Sequence, residues 1–248
     1  MQNKISIIMA CKNSSKTIEK SLTSFFMQNY KKKEILVIDG GSTDMTLEKI
    51  KNYKINYFIS KKNLGLYKSI NYGIKKAKGN IIGLLHSDDF FYQKDILRQI
   101  NDIFEKNKNL DFIYSNIIFV DYHNNIKRKW FSGKINKRSV DNGVYPPHTG
   151  IFIKKNIFDK IGYYNPHYKI ASDIDFMYRL FTKKSLNSIY FNKYTVKMSL
   201  GGLSTKSLKS IMISNFEVYK ILKHHFVEYP LIVIIKKILS KLIQIFYK

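Results

Sequence analysis

Three short groups of acids stand out in a chain that is otherwise strongly basic. Half of its twelve aspartates lie in them: Asp39 and Asp44 in Asp39-Gly40-Gly41-Ser42-Thr43-Asp44, the adjacent pair Asp88 and Asp89, and Asp173 with Asp175. Adjacent carboxylates repel, so a pair such as Asp88-Asp89 needs a counter-charge. A hard divalent cation, Mn²⁺ or Mg²⁺, is the usual solution and would bridge to a bound diphosphate. Read alone, the pair fits a helix N-cap equally well. The Asp39 run offers glycines for close backbone approach and a carboxylate that accepts from a base N–H, or a simple turn capped by Ser42. Lys62-Asn63-Leu64-Gly65 has a composition suited to ribose or phosphate contacts, although taken alone it fits an ordinary turn better.

The elements around these acids alternate. Buried-strand runs at Ile5–Ala10, Glu34–Ile38, Ile55–Ile59 and Ile81–Leu85 are separated by helical spacing over Ser14–Met27, Thr43–Lys51 and Leu66–Lys78. That alternation predicts a parallel α/β sheet, with ligands bound beyond the carboxyl ends of its strands. Asp39 and Asp88 fall at such ends. Farther on, the pattern predicts a helix over Gln93–Lys106 and strands over Phe112–Val120, Ile126–Phe131 and the end of Val144–Ile153. Helices follow at Ile174–Phe181, with Ser172 and Asp173 as cap candidates, and at Leu203–Phe226.

The order of these motifs resembles the family 2 glycosyltransferases of GT-A fold. The matching segments are Ile5–Asn13, Asp39–Asp44, Asn63-Leu64-Gly65-Leu66-Tyr67 with Asn71-Tyr72-Gly73, Ser87-Asp88-Asp89, Pro147-His148-Thr149-Gly150, Ala171–Asp175 and Gly201-Gly202-Leu203-Ser204. They cover roughly residues 4 to 205, and the likeness is to small bacterial members that build O-antigen, capsule or other lipid-linked surface glycans. The resemblance implies a Rossmann-like, mostly parallel central sheet flanked by helices, with a C-terminal helical tail. It divides the chain into a GT-A domain over 1–205, with a nucleotide-binding half to about residue 110 and an acceptor half after it, and C-terminal helices over 206–248.

Its residue roles follow in the same way. Ala10, Cys11, Asn13 and Asp39 would hold the base, usually uracil. Asn63, Gly65 and Asn71 would line the ribose and diphosphate side. Asp88 and Asp89 would serve the metal, Mn²⁺ or Mg²⁺. Asp173 would be the general base for the acceptor hydroxyl, with Asp175 and His148 on the acceptor side. One base and no covalent partner implies inversion, an α-linked donor giving a β-linkage. The expected substrates are a UDP-linked hexose or N-acetylhexosamine and a polyprenyl-diphosphate-linked glycan. The chain departs from the family pattern at His86, where many relatives carry the first acid of the metal motif, at Ala10-Cys11 in place of Pro-Thr, and at Ser172 before the base. The late histidine that ligates metal in some relatives is also missing, because no histidine lies between His167 and His224.

Composition bounds the alternatives. The single cysteine, Cys11, excludes an internal disulfide. The formal charge of +25 predicts attraction to anions, but only four of the 43 basic residues are arginines. Base reading favours the arginine fork, so the charge reads as a general attraction to anions, for which nucleotide phosphates, anionic lipid headgroups and nucleic acid all qualify. A nucleic-acid-binding protein and a nucleotide-binding member without turnover remain the competing readings. No run of about 18 apolar residues predicts a membrane span, and no cleavable leader is visible. The tail from Leu231 to Lys248 carries Lys236, Lys237 and Lys241 on a narrow face and isoleucines and leucines on a wide one. It fits a helix lying in a membrane interface, a packed terminal helix or a dimer seam. The first of these would place the protein in the cytoplasm, on the inner face of the cytoplasmic membrane.

Overall fold

The computed structural model describes residues 2–201 and 207–246, with side chains described as far as residue 239. Four strands form the first half of the sheet: β1 (Ile5–Cys11), β2 (Lys33–Asp39), β3 (Tyr57–Ser60) and β4 (Ile81–Leu84), in the spatial order β3-β2-β1-β4 and all parallel. Helices α1 (Ile18–Phe26), α2 (Thr46–Lys51) and α3 (Leu66–Lys76) make the crossovers. Both faces of β1, β2 and β4 are covered, which is why these strands read as unbroken apolar runs. Ile5, Ile7 and Met9 enter the core beneath α1, while Ile8 and Ala10 face α3. Gly73 lets α3 approach β1 closely, because a Cβ there would stand 2.5 Å from Ile8 Cγ2.

The second half reverses direction. After β5 (Phe90–Phe91) and α4 (Ile96–Lys106) come β6 (Phe112–Val120), β7 (Ile126–Trp130), α5 (Lys137–Asp141), a single 3-10 turn at His148–Gly150, β8 (Ile151–Lys154), α6 (Ile157–Ile161), α7 (Ser172–Thr182) and β9 (Ser188–Ser199). Strand β8 joins β4 antiparallel, β6 joins β8 antiparallel, β9 runs parallel to β6, and β5 closes the edge antiparallel to β9. The sheet is therefore parallel on the side of the first three motifs and mixed beyond β4. Strands β5 and β9 and helices α5 and α6 lie outside the elements expected from the sequence.

Two elements close the chain, α8 (Leu208–His224) and α9 (Pro230–Phe246). The expected helix start at Leu203, with the Gly202-Leu203-Ser204 part of the last motif, lies outside the described residues. Helix α8 is tied to the main body. Val218, Ile221 and Leu222 pack with Ala171 and with Val233 and Ile234 of α9. Leu231, Ile232, Ile235, Ile238 and Leu239 of α9 remain exposed. Among the described residues no helix is long and apolar enough to cross a membrane.

Candidate active site

The register of β4 against β8 sets the geometry of the cleft. Gly83 pairs with Phe152, so the chain leaving β4 upward meets the chain entering β8. His86, two residues past β4, thus faces His148 in the turn before β8, and their Nε2 atoms are 2.7 Å apart. His148 Nδ1 lies 3.3 Å from Asp173 Oδ2 at the start of α7. Asp173 Oδ1 is 3.4 Å from the Tyr67 hydroxyl, which also donates to the Ile170 carbonyl. Burial acts to raise the Asp173 carboxyl. Its contacts with His148, the charge of Lys237 on α9 and the Ile174 N–H outweigh that and hold it below the usual carboxylate range. Asp173 is therefore an ionised, partly accessible carboxylate at the carboxyl ends of the strands, as a proton acceptor requires.

The Asp88-Asp89 turn stands beside this chain of groups. It runs into β5, not into a helix, so the helix-cap reading of the pair falls away. The end of β9 supports it: Ser199 donates its hydroxyl to the Asp88 carbonyl at 2.6 Å and its N–H to Asp89 Oδ1 at 3.2 Å. Burial pushes the Asp88 carboxyl up, and burial with the Asp88 charge pushes that of Asp89 well up. Asp89 Oδ2 is buried with no hydrogen-bond partner. Two crowded, poorly compensated carboxylates of this kind fit a divalent cation shared with a diphosphate. Among the described residues no group of three or more His, Cys, Asp or Glu side chains forms a cage for a metal. The protein's own contribution would thus be the two carboxylates.

The residues expected on the nucleotide side divide into those that face the cleft edge and those spent on scaffolding. Ala10 and Cys11 end β1 and are buried, and the Cys11 thiol, 3.7 Å from Asp39 Oδ1, is pushed up by burial and by that carboxylate. Asn13 adopts positive φ and accepts from the Thr43 N–H, joining the first loop to the second. Ser14 and Ser87 hydroxyls, 2.8 Å apart, join the first loop to the Asp88 turn. Asp39 is fully buried. Its Oδ2 accepts from the Gly41 and Ser42 N–H groups and from Ser60, and its Oδ1 from the Ser42 hydroxyl. Its carboxylate is thereby occupied in building the loop. Gly41, at φ +83°, has Lys62 Cα 2.9 Å from where a Cβ would stand, so this turn admits glycine alone. Asn63 at φ +60° and Gly65 at φ +75° form an open rim before α3. Asn71 is spent differently: its amide donates to the Tyr164 carbonyl and accepts the Tyr164 N–H, clamping α3 to the segment before α7.

Two expectations around α7 are corrected. Ser172 and Asp173 are not caps. The helix starts at Ser172, its N-cap is Ala171 with no side-chain cap bond, and the Asp173 carboxylate is directed to His148. The N–H groups of Lys169, Ile170 and Ala171 instead converge on Glu217 of α8, at 2.7, 2.9 and 2.9 Å. Asp175 does not join Asp173. It lies round the helix in an ion cluster, 2.8 Å from Arg179 Nη2 and 3.0 Å from His225 Nε2, because residues two apart on a helix point to different sides. The structure also adds groups that spacing did not single out: His86 as partner of His148, Tyr67 at Asp173, Ser199 under the acid pair, and Glu217. Glu217 carries one usable signal, an acid set between Phe216 and Val218 in an apolar helix of a chain poor in glutamate.

The profile of glycosyl transferase family 2 matches residues 6–189. An uncharacterized glycosyltransferase of Rickettsia typhi is 31% identical over 200 residues, 76% of this chain and 61% of the relative. The chain thus spans about three fifths of that relative's length. A PGL/p-HBAD biosynthesis glycosyltransferase of Mycobacterium tuberculosis is 26% identical over 210 residues, 80% of this chain and 78% of the relative. Among solved structures, Staphylococcus aureus TarS 1–349 in complex with UDP-GlcNAc superposes with a TM-score of 0.68 at 19% identity, covering 88% of this chain and 70% of TarS 1–349. The Pyrobaculum calidifontis mannosyltransferase PcManGT, in complex with GDP-Man and Mn²⁺, gives 0.64 at 11% identity over 97% of this chain and 75% of that one. These structural likenesses establish a GT-A fold. With the profile spanning most of the chain and the acids set at the strand ends, the protein belongs to glycosyl transferase family 2.

Proposed function

We propose that this protein is an inverting glycosyltransferase that moves a hexose or N-acetylhexosamine from a UDP-sugar to a lipid-linked saccharide. The observation that carries the reading is the ionised Asp173, held by His148 beside the Asp88-Asp89 turn. A single accessible carboxylate suits deprotonation of an acceptor hydroxyl, and the Asp88-Asp89 turn would serve the donor's diphosphate. Asp88 and Asp89 would hold Mn²⁺ or Mg²⁺, which when bound neutralises charge on the departing nucleoside diphosphate. The remaining roles belong to the chain: the loops after β1 and β2 receive the nucleotide, and Asp173 takes the acceptor proton as the anomeric bond inverts. UDP is favoured as the nucleotide by the likeness to TarS 1–349, solved in complex with UDP-GlcNAc.

The exposed apolar side chains of α9, with Leu231, Ile235 and Leu239 on successive turns, support a place on the inner membrane face, where a polyprenyl-diphosphate acceptor would be met. Thermal unfolding with UDP, GDP, CMP, ADP or dTDP, each with and without Mn²⁺, tests the donor. A ligand at about 100 times its dissociation constant adds about 2.7 kcal/mol. A metal-dependent shift with UDP, lost in Asp88→Ala, is the expected result, and a GDP-only shift would move the donor class. Binding to anionic vesicles that drops when Leu231, Ile235 and Leu239 become serine tests the membrane reading; unchanged binding refutes it.

A further inference from the structure

His86 stands where many family 2 members carry an acid of the metal motif, and its ring is in contact with His148. Its Nε2 is 2.7 Å from His148 Nε2, and the two rings meet edge to face with centroids 4.9 Å apart. His148 Nδ1 is in turn 3.3 Å from Asp173 Oδ2. We propose that His86 and His148 form a fixed imidazole chain that positions Asp173, coupling the donor-side turn after β4 to the base on α7. The inference rests on the transfer reading above for its kinetic part only.

For two neutral rings the contacts fix the proton assignment. A carboxylate offers only acceptors, so His148 Nδ1 carries the hydrogen that faces Asp173. With both imidazoles neutral, His148 Nε2 is then a bare lone pair. The 2.7 Å contact needs one hydrogen, which His86 Nε2 must supply. The chain therefore reads His86 Nε2–H to His148 Nε2, and His148 Nδ1–H to Asp173 Oδ2.

Two consequences follow for the reaction. Oδ2 of Asp173 is engaged by His148, so Oδ1, at the longer 3.4 Å from the Tyr67 hydroxyl, is the oxygen presented to the acceptor hydroxyl. The base is also referenced to the turn that bears Asp88 and Asp89, which fixes the attacking oxygen relative to the leaving diphosphate. Positioning of this kind acts on the transition state and leaves donor affinity alone.

The test has a spectroscopic and a kinetic arm. ¹⁵N-histidine NMR at pH 8 should show His148 as the Nδ1–H tautomer and His86 as the Nε2–H tautomer, with both signals perturbed in Asp173→Asn. An Nε2–H tautomer at His148 would overturn the proposal whether or not the protein turns over. In kinetics, His148→Ala should lower kcat about 10- to 100-fold, the scale of a lost hydrogen bond to a charged group, with donor KM within about threefold. His148→Asn, which can keep an N–H near the place of Nδ1, should recover about tenfold of that loss. His86→Ala should cost kcat about tenfold in the native background and nothing further in His148→Asn. Equal defects in His148→Ala and His148→Asn, or equal costs of His86→Ala in both backgrounds, would refute the chain. Absence of turnover by the native protein with every donor would refute the transfer reading instead, and leave the tautomer result to stand by itself.

Discussion

Replacing Glu217 by alanine should loosen the start of α7 and lower stability by an amount the structure permits us to work out. Three successive main-chain N–H groups, those of Lys169, Ile170 and Ala171, point at this one carboxylate, and Glu217 is only 8% exposed. A buried donor left without a partner costs about 1–3 kcal/mol. The three sites are graded. Lys169 is exposed and its N–H rehydrates readily, Ile170 is half-buried, and Ala171 is buried. Most of the loss therefore falls on Ala171 and Ile170, which gives about 3 kcal/mol in total. For a chain of this size about 1 kcal/mol moves Tm by about 2–4 °C, so Tm should fall by about 6–12 °C. Glu217→Gln separates charge from geometry. Its one oxygen can serve Ile170 and Ala171 as Oε2 does now, but its amide group then faces the Lys169 N–H. That variant should lose about 1–2 kcal/mol. Thermal unfolding and amide hydrogen exchange are the assays. In Glu217→Ala the Ala171 amide should exchange far faster than amides of β1. Retained protection at Ala171 together with a Tm within about 1 °C of native would show that α8 does not hold this segment, and the accounting would be wrong.

The other predictions concern the cleft and its scaffold. Asp173→Asn should abolish transfer, read by product formation, while the nucleotide-induced Tm shift persists; retained transfer would remove Asp173 from the base role. Asp89→Asn should raise the Tm of the metal-free protein at neutral pH, because burial and Asp88 push this carboxyl up and ionisation there opposes folding, yet it should erase metal-dependent nucleotide stabilisation. Gly73→Ala should destabilise by about 1–3 kcal/mol in denaturant titrations, since the new Cβ meets Ile8 and α3 must move off β1. Acid should act through Asp39, Asp173 and Asp175. Burial works against their ionisation, but their hydrogen bonds and ion pairs hold the folded-state values below the ordinary one. Each contributes stability that is present above about pH 4 and is lost as pH falls through its depressed folded-state pKa, so unfolding free energy should decline steeply below about pH 4.

What the sequence disclosed follows from how local each signal is. Strands β1, β2 and β4 are covered on both faces, so their apolar runs are continuous and their ends fall within a residue or two of expectation. Strand β9 escaped because Lys193, Asn192 and Lys197 interrupt it and its burial is partial, while its pairing partner β6 lies more than 70 residues away. The acids were legible as types at strand ends. What each acid does was not. Asp39 is occupied inside its own loop, Asp175 belongs to the Arg179–His225 cluster, and Asn71 clamps Tyr164, because hydrogen-bond partners are chosen by tertiary packing. The His86–His148 contact spans 62 residues and depends on the β4–β8 register, which no local pattern encodes.

Helices α8 and α9 join two demands that a sequence pattern shows as one. Their apolar residues read as a single wide face, yet Val218, Ile221, Leu222, Val233 and Ile234 are buried and Leu208, Met212, Phe216, Leu231, Ile235 and Leu239 are exposed. The buried set closes over Ala171, and Glu217 and His225 from the same helix region hold the segments on either side of Asp173. Lys237 on α9 lends its charge to Asp173 as well. A truncation at Leu231 therefore strips core contacts and the charge near Asp173 together with any lipid-facing surface. Lost activity in such a truncation would say nothing about membranes. Serine substitutions confined to the exposed set leave Glu217, His225 and Lys237 in place, and only those separate attachment from catalysis.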